Sequence, residues 1–325
     1  MNKKVSVVIP TFRRPHLLKN CITALAAQDF EKDDFEIIVV TDGPDIPTRS
    51  MLNDLPLILP FVQFISLPEK KGPAAARNAG WRAANGELIA FTDDDCLPAL
   101  NWVSRLWDEY ILNWKPEYIA FAGKVQVPVS EEPTDHEINT AGLQDADFVT
   151  ANCACTKAAL ELIGGFDERF TVAWREDSDL EFRLLENNID IKRKIEAVVV
   201  HPVRKAEWGV SIKEQKKTMF NALLYKKFPQ LFRKKIQPSP SWNYYAIIAG
   251  FVLLMAGLIL QTKFLVLTGA MVYLGFTIAF IISRLVRTSR SYKHVMEMIA
   301  TSLVIPFVSV YWTVYGALKY RVLYY

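Results

Sequence analysis

The chain has 325 residues, enough for one large domain with an appendage or for two domains. Its formal net charge of +3 argues against a nucleic-acid partner recruited by global charge. Hydrophobic residues make up 51% of it, above the usual globular share, and the excess is unevenly placed along the chain.

The apolar run at residues 5–9 stops at Pro10. It is shorter than the roughly 7–15 residues of a secretory h-region, so the first two-thirds of the chain is expected to stay in the cytoplasm. The cysteines agree with a reduced setting. Cys21, Cys96, Cys153 and Cys155 form no CxxC pair, and on a strand Cys153 and Cys155 would share one face.

Residues 5–9 predict a buried strand. Residues 15–27 predict a helix, with Pro15 in its first turn and Leu17, Leu18, Ile22 and Leu25 on its apolar face. Strands follow at 36–40 and 61–66, a small-residue helix at 73–85, and a fourth strand at 87–91. This alternation predicts a mainly parallel sheet with helices on both faces. Ligands bind beyond the carboxyl ends of such strands. The segments that follow the first, second and fourth strands are Pro10-Thr11-Phe12-Arg13-Arg14, Thr41-Asp42-Gly43-Pro44 and Thr92-Asp93-Asp94-Asp95, so polar residues gather at one rim.

From Ser211 the pattern changes. Ile212, Met219, Phe220, Leu223, Leu224 and Phe228 fall on one stripe, with Lys213, Lys216, Lys217, Lys226 and Lys227 mostly off it, as in an interfacial amphipathic helix. Pro238-Ser239-Pro240 reads as a linker. Residues 244–260 and 264–282 are almost wholly apolar and are separated by Gln261-Thr262-Lys263. Each is about 25–29 Å long as a helix, close to the ~30 Å hydrocarbon core, which predicts a transmembrane hairpin. Basic residues flank it (Lys226, Lys227, Arg233, Lys234 and Lys235 before; Arg284, Arg287, Arg290 and Lys293 after), so both ends are expected in the cytoplasm. A third apolar stretch, residues 298–318, contains Pro306 and runs into Lys319 and Arg321. Translocating those charges opposes the charge rule, so a re-entrant or interfacial segment is favoured over a third span.

The run Asp93-Asp94-Asp95 carries the main chemical information. Adjacent carboxylates at about 4 Å cost roughly 1 kcal/mol per pair in water and about 4 kcal/mol at an effective dielectric of 20. At the ligand rim of a sheet they predict a hard divalent ion, Mg²⁺ or Mn²⁺, that also bridges phosphates. Asp42 after a strand could accept an N–H from a nucleobase such as uracil. Arg77, one turn into its helix, could contact a diphosphate or base. In Trp174-Arg175-Glu176-Asp177, one carboxylate could accept the proton of an acceptor hydroxyl, since an aspartate at its ordinary pKa of ~3.9 is ionised at neutral pH. His201, at the end of the strand 198–200, could close a metal site.

Taken together these residues resemble the family 2 glycosyltransferases of the GT-A fold. The motifs that carry the resemblance run in order from residue 5 to residue 201: the first-strand segment ending in Pro10-Thr11-Phe12-Arg13-Arg14, Thr41-Asp42-Gly43, Gly72 to Gly80, Asp93-Asp94-Asp95, Gly164-Gly165-Phe166-Asp167-Glu168 and Arg175-Glu176-Asp177. The resemblance implies a Rossmann-like α/β catalytic domain over residues 1–210; periodicity, hydropathy and charge divide the rest into an amphipathic and linker region at 211–240, the membrane hairpin at 241–283, and a basic loop with the third apolar segment at 284–325. It implies donor binding by Pro10, Thr11, Arg13, Asp42, Arg77, Asp93 and Asp94, and a metal held by Asp93, Asp95 and His201. It implies Asp177 as catalytic base in an inverting displacement, and an acceptor side that includes Gly165, Trp174 and Glu176. No Gln-x-x-Arg-Trp motif follows His201, so one sugar per encounter is expected instead of processive synthesis. The implied reaction takes a nucleotide-sugar donor, UDP-linked by preference, and a lipid-linked or glycan acceptor at the membrane. Transfer to a polyprenyl phosphate is the alternative within enzymes. A non-catalytic nucleotide-sugar-binding protein and a nucleotidyltransferase are the others.

Overall fold

The computed structural model describes residues 3–52 and 59–324. They form two compact units, one of residues 1–128 and 141–203, the other of residues 129–140 and 204–325.

The first unit is built on one eight-stranded sheet. Its strands are β1 (Lys3–Thr11), β2 (Phe35–Thr41), β3 (Val62–Ser66), β4 (Gly86–Phe91), β5 (Leu97–Pro98), β6 (Ala120–Gln126), β7 (Cys153–Thr156) and β8 (Ile191–Val200), in the order β3-β2-β1-β4-β7-β6-β8-β5. The four N-terminal strands pair in parallel, as alternation with helices dictates. The second half is mixed: β7 runs antiparallel to both β4 and β6, and β5 antiparallel to β8. The sheet is therefore less parallel than the sequence suggests. The strand 153–156 is too short and too rich in Cys and Ala to show a period.

Side-chain alternation divides the core in two. Val5, Val7 and Ile9 of β1 point to one face, where they meet Leu18, Ile22 and Leu25 of α1 (Pro15–Ala26). Trp102, Val103 and Leu106 of a helix at Trp102–Leu112 (α4) lie in the same cluster. Val8 points the other way, toward Ala74, Ala76 and Trp81 of α3 (Pro73–Ala83), with Cys153 and Cys155 side by side on that face. All four cysteines are free and buried. The helix α2 is Ile46–Leu52, α5 is Asp135–Ala141, α6 is Lys157–Ile163 and α7 is Glu176–Glu186.

The stripe noticed in residues 212–228 is not one continuous α-helix. It is α8 (Val210–Glu214), a 3₁₀ turn (Gln215–Thr218) and α9 (Met219–Lys227), followed by α10 (Pro229–Lys235). Residues 219–224 of α9 are buried on all sides, so this part is packed within the second unit. The apolar segments form α11 (Trp242–Ile259), α12 (Lys263–Leu285) and α13 (Tyr292–Tyr320), each long and apolar enough to cross a membrane. The third is thus one continuous helix, with Pro306 inside it. In the α11–α12 hairpin the backbones approach so closely that a Cβ at Gly257 would lie 2.5 Å from the Val266 nitrogen, the small-residue contact that membrane helices use for packing. Below the hairpin, Arg284 ties three chain segments together. Its guanidinium is bidentate to Asp135 (2.7 and 3.3 Å) and donates to Thr301 and Ser302 (2.7 and 3.0 Å) and to Ser211 (3.2 Å).

Candidate functional site

The sheet register delivers the acidic run to the rim. Val8 of β1 pairs with Phe91 of β4, so Thr11 and residues 92–95 leave adjacent parallel strands together. Thr11 Oγ1 donates to Asp94 Oδ2 (2.7 Å) and Arg14 to Asp94 Oδ1 (3.0 Å). Asp94 is buried, and burial raises its pKa against the pull of Arg14 and Thr11. Its role on this geometry is to tie β1 to the acidic run. Pro10 is a buried β1 residue paired with Val40. Arg13 has a left-handed backbone (φ 56°), its N–H donates to Asp45, and its guanidinium lies over the Phe12 ring.

Asp42 follows β2 and is buried. Its Oδ1 accepts from the backbone N–H groups of Lys71 (2.7 Å) and Gly72 (2.8 Å), which shapes the entry to α3. Gly72 has φ 103°, and a Cβ there would meet the Thr171 carbonyl oxygen at 2.5 Å, so the turn requires glycine. Arg77, one turn into α3, is 2% exposed. It donates to Asp93 Oδ1 (2.7 Å) and to Glu176 Oε1 (3.1 Å). One buried guanidinium therefore joins the acidic run to the first turn of α7. Replacing Arg77 with methionine leaves a buried Glu176 carboxylate without its cation. Breaking a buried pair in this way costs about 3–5 kcal/mol, so chemical denaturation of the variant should show a midpoint far below wild type.

Glu176 is buried, with Arg77 as its ion-pair partner. Burial, helped by the charge of Asp177 and opposed by Arg77, raises its pKa to about 7. The acid's folded value lies above its ordinary one, so the folded state holds the proton more tightly. The stability this gives is complete below about pH 4.5 and is lost as pH rises through about 7. Glu176→Gln should flatten that slope in denaturant titrations run across pH 4–8. Asp177, beside it, accepts from the Ser178 N–H at 2.6 Å, and burial raises its pKa as well, although its side chain remains part-exposed. Arg175, the residue before α7, has φ 72° and stacks its guanidinium on Trp174, so the Trp174-Arg175 turn feeds these carboxylates into the helix start.

On the other side of Asp93, Leu97 of β5 pairs with Val200 of β8. That register sets Cys96 opposite His201. Atoms of Asp93, Asp95, Cys96 and His201 all come within 4.8 Å of one another. His201 Nε2 is 3.6 Å from Asp95 Oδ1, while its buried Nδ1 has no partner. Two carboxylates and an imidazole with an orphaned nitrogen fit a divalent ion such as Mn²⁺ or Mg²⁺. Burial and the nearby carboxylates raise the Cys96 thiol well above its ordinary range, so it enters as a neutral, soft neighbour.

Gly165 lies on the turn that follows α6. With φ 70° it packs under α3, where a Cβ would meet Asn78 Oδ1 and Trp81 Nε1 at 2.5 Å. Asn78 exchanges hydrogen bonds with both backbone groups of Phe166 (2.8 and 2.9 Å), pinning the Gly164–Glu168 turn, and Phe166 stacks edge-on against Phe91. Sequence reasoning missed Asn78, Arg14 and Cys96 as parts of this assembly. Asn78 follows Arg77 directly and was legible only as part of a motif. Cys96 adjoins the acidic run, and only the β5–β8 register reveals its partner.

Residues 6–144 match the family model "Glycosyl transferase family 2". The pre-mycofactocin glycosyltransferase of Mycobacterium tuberculosis (strain ATCC 25618 / H37Rv) is 28% identical over 216 residues, covering 62% of this chain and 43% of that protein. The GalNAc(5)-diNAcBac-PP-undecaprenol beta-1,3-glucosyltransferase of Campylobacter jejuni is 38% identical over 93 residues, 28% of this chain and 29% of that protein. The chain spans less than half the length of these curated relatives. Among solved structures, the mannosyltransferase PcManGT from Pyrobaculum calidifontis in complex with GDP-Man and Mn²⁺ superposes with a TM-score of 0.56 at 18% identity, over 99% of this chain and 88% of that one. TarS 1-349 of S. aureus in complex with UDP gives 0.51 at 15%, over 94% and 90%. Residues 6–144 thus match the family 2 glycosyltransferase model, the fold is GT-A, and three apolar helices that are candidate membrane spans follow.

Proposed function

We propose that this protein is a membrane-anchored, metal-dependent inverting glycosyltransferase that moves one sugar from a nucleotide diphosphate donor to a lipid-linked acceptor. The observation that carries the reading is the Arg77 bridge between Asp93 and Glu176. It joins the acidic run, which in this reading holds the metal, to the first turn of α7, where Asp177 beside Glu176 is the base.

In this reading Asp93, Asp95 and His201 hold Mg²⁺ or Mn²⁺, which when bound offsets charge on the departing nucleoside diphosphate. Asp42 keeps one carboxylate oxygen for the donor's base, with UDP-sugars favoured. Asp177 takes the proton of the acceptor hydroxyl as its oxygen bonds to the anomeric carbon and the bond to the diphosphate breaks. Attack opposite the leaving group inverts that carbon. Trp174 and the α7 start form the acceptor side. The low charge of the α11–α12 turn supports a hairpin whose ends, with the glycosyltransferase domain, face the cytoplasm. The relative from Campylobacter jejuni, whose name includes an undecaprenol diphosphate, supports a lipid-borne acceptor. Radiolabelled sugar transfer to a lipid-diphosphate sugar, compared with transfer to a short polyprenyl phosphate, tests this. Label in the elongated lipid-diphosphate product is expected; label only on polyprenyl phosphate would replace the acceptor assignment.

A further inference from the structure

Whether α13 crosses the membrane is decided by what packs along it. The segment from α8 to α9 runs beside it in the same direction for almost its full length. Near the start of α13, the Gly209 N–H donates to Glu297 (2.6 Å), and Arg284 donates to Thr301 and Ser302. Farther along, the Lys216 ammonium lies 5.6 Å from the Trp312 ring centre. Gly316 backs onto the α9 backbone, where a Cβ would be 2.5 Å from the Met219 carbonyl oxygen. At the end, Lys226 Nζ donates to the Tyr320 carbonyl (2.8 Å).

The flanking helices are not membrane-compatible. Residues 210–235 hold eight lysines and arginines (213, 216, 217, 226, 227, 233, 234 and 235) against one acidic residue, Glu214. A perpendicular α13 would carry Lys213, Lys216 and Lys217 through the hydrocarbon core. Both ends of α13 are basic too, with Arg290 and Lys293 at its start and Lys319 and Arg321 at its end. Its remaining surface is apolar, and at Phe307 it meets Phe251 of α11 (ring centres 5.4 Å). Leu303, Val304, Tyr311, Val314, Tyr315 and Leu318 are exposed. At 100° per residue they fall in an arc of about 120°, facing away from the buried stripe of His294, Met298, Ile305 and Ser309. An apolar stripe on a helix cradled by lysines is the pattern of a helix lying in the membrane interface.

We infer that α13, with α8–α10, forms a platform in the plane of the membrane surface, its apolar stripe sunk into the lipid interface and its lysines at the headgroups. Both ends of α13 then lie on the side where residue 203 enters the second unit. Among the described residues the hairpin α11–α12 is then the one crossing. This rests on the proposed membrane anchoring by that hairpin.

The test uses the full chain in vesicles of phosphatidylcholine and phosphatidylglycerol, with single spin labels at Val304, Tyr311 and Leu318 and a reference at Leu274 of α12. Power saturation with oxygen and a nickel chelate reads depth. The three α13 positions should share one shallow depth, with Leu274 deep. Tyr311 as deep as Leu274 would overturn the inference. In sealed vesicles from cells, an impermeant maleimide should label Leu323→Cys from the same side as Leu162→Cys, and Gln261→Cys from the other. Leu323→Cys labelled opposite Leu162→Cys overturns it as well. Gln261→Cys labelled on the Leu162 side would defeat the hairpin reading instead, and the depth at Tyr311 still decides the orientation of α13.

Discussion

Asp177→Asn is expected to lower sugar transfer by about 10²–10⁴-fold, the usual contribution of a positioned general base, while the folded protein keeps its far-UV spectrum and melting behaviour. The amide keeps the shape and can still meet the Ser178 N–H that Asp177 accepts from. It cannot accept a proton from the acceptor hydroxyl. Donor binding, read by titration with nucleoside diphosphate and metal, should stay near wild type, because Asp177 lies on the Glu176 side of the Arg77 bridge. The raised pKa of Asp177 adds a pH signature. Activity should fall on the acid side as the base takes its proton, with an inflection above the usual carboxylate range. Near-normal turnover in a folded Asp177→Asn protein would remove it as the base.

Asp95→Ala carries the second large effect. Asp95 and His201 face each other at 3.6 Å, with Asp93 and Cys96 in the same cluster. Loss of the metal forfeits several kcal/mol of stabilisation of the leaving diphosphate. At 1.36 kcal/mol per decade that is about 10³-fold or more in rate. Isothermal titration with Mn²⁺ should show the site lost or greatly weakened. His201→Ala should give a smaller loss of the same kind, with a higher metal requirement. A folded Asp95→Ala variant with wild-type Mn²⁺ affinity would move the metal elsewhere.

Much of the first unit was legible in the sequence. Apolar runs followed by rim motifs place β1, β2 and β4 because parallel strands bury both faces and leave their carboxyl ends polar. The second half of the sheet was not. Leu97-Pro98 forms a strand of only two residues, too short to show a period, and its pairing with β8 is a long-range choice. That same pairing brings His201 to Asp95, a contact the resemblance implied but no local pattern could show. Arg77 shows what tertiary context adds. One turn into a helix it reads as a ligand contact, and the fold also makes its guanidinium a bridge between Asp93 and Glu176, with its Nε left unpartnered. The stripe in residues 212–228 had the right period, but its apolar side faces protein at Met219–Leu224. Periodicity shows that a face is apolar; it does not show what covers that face.

The most direct measurement is nucleoside diphosphate release by the purified full chain with Mn²⁺, a panel of nucleotide sugars and native lipid extract. Release that requires both the donor and the lipid acceptor, equals the sugar incorporated, and disappears in Asp177→Asn is the predicted result. Release of pyrophosphate in its place, or release indifferent to the acceptor and to Asp177, would contradict sugar transfer at this site.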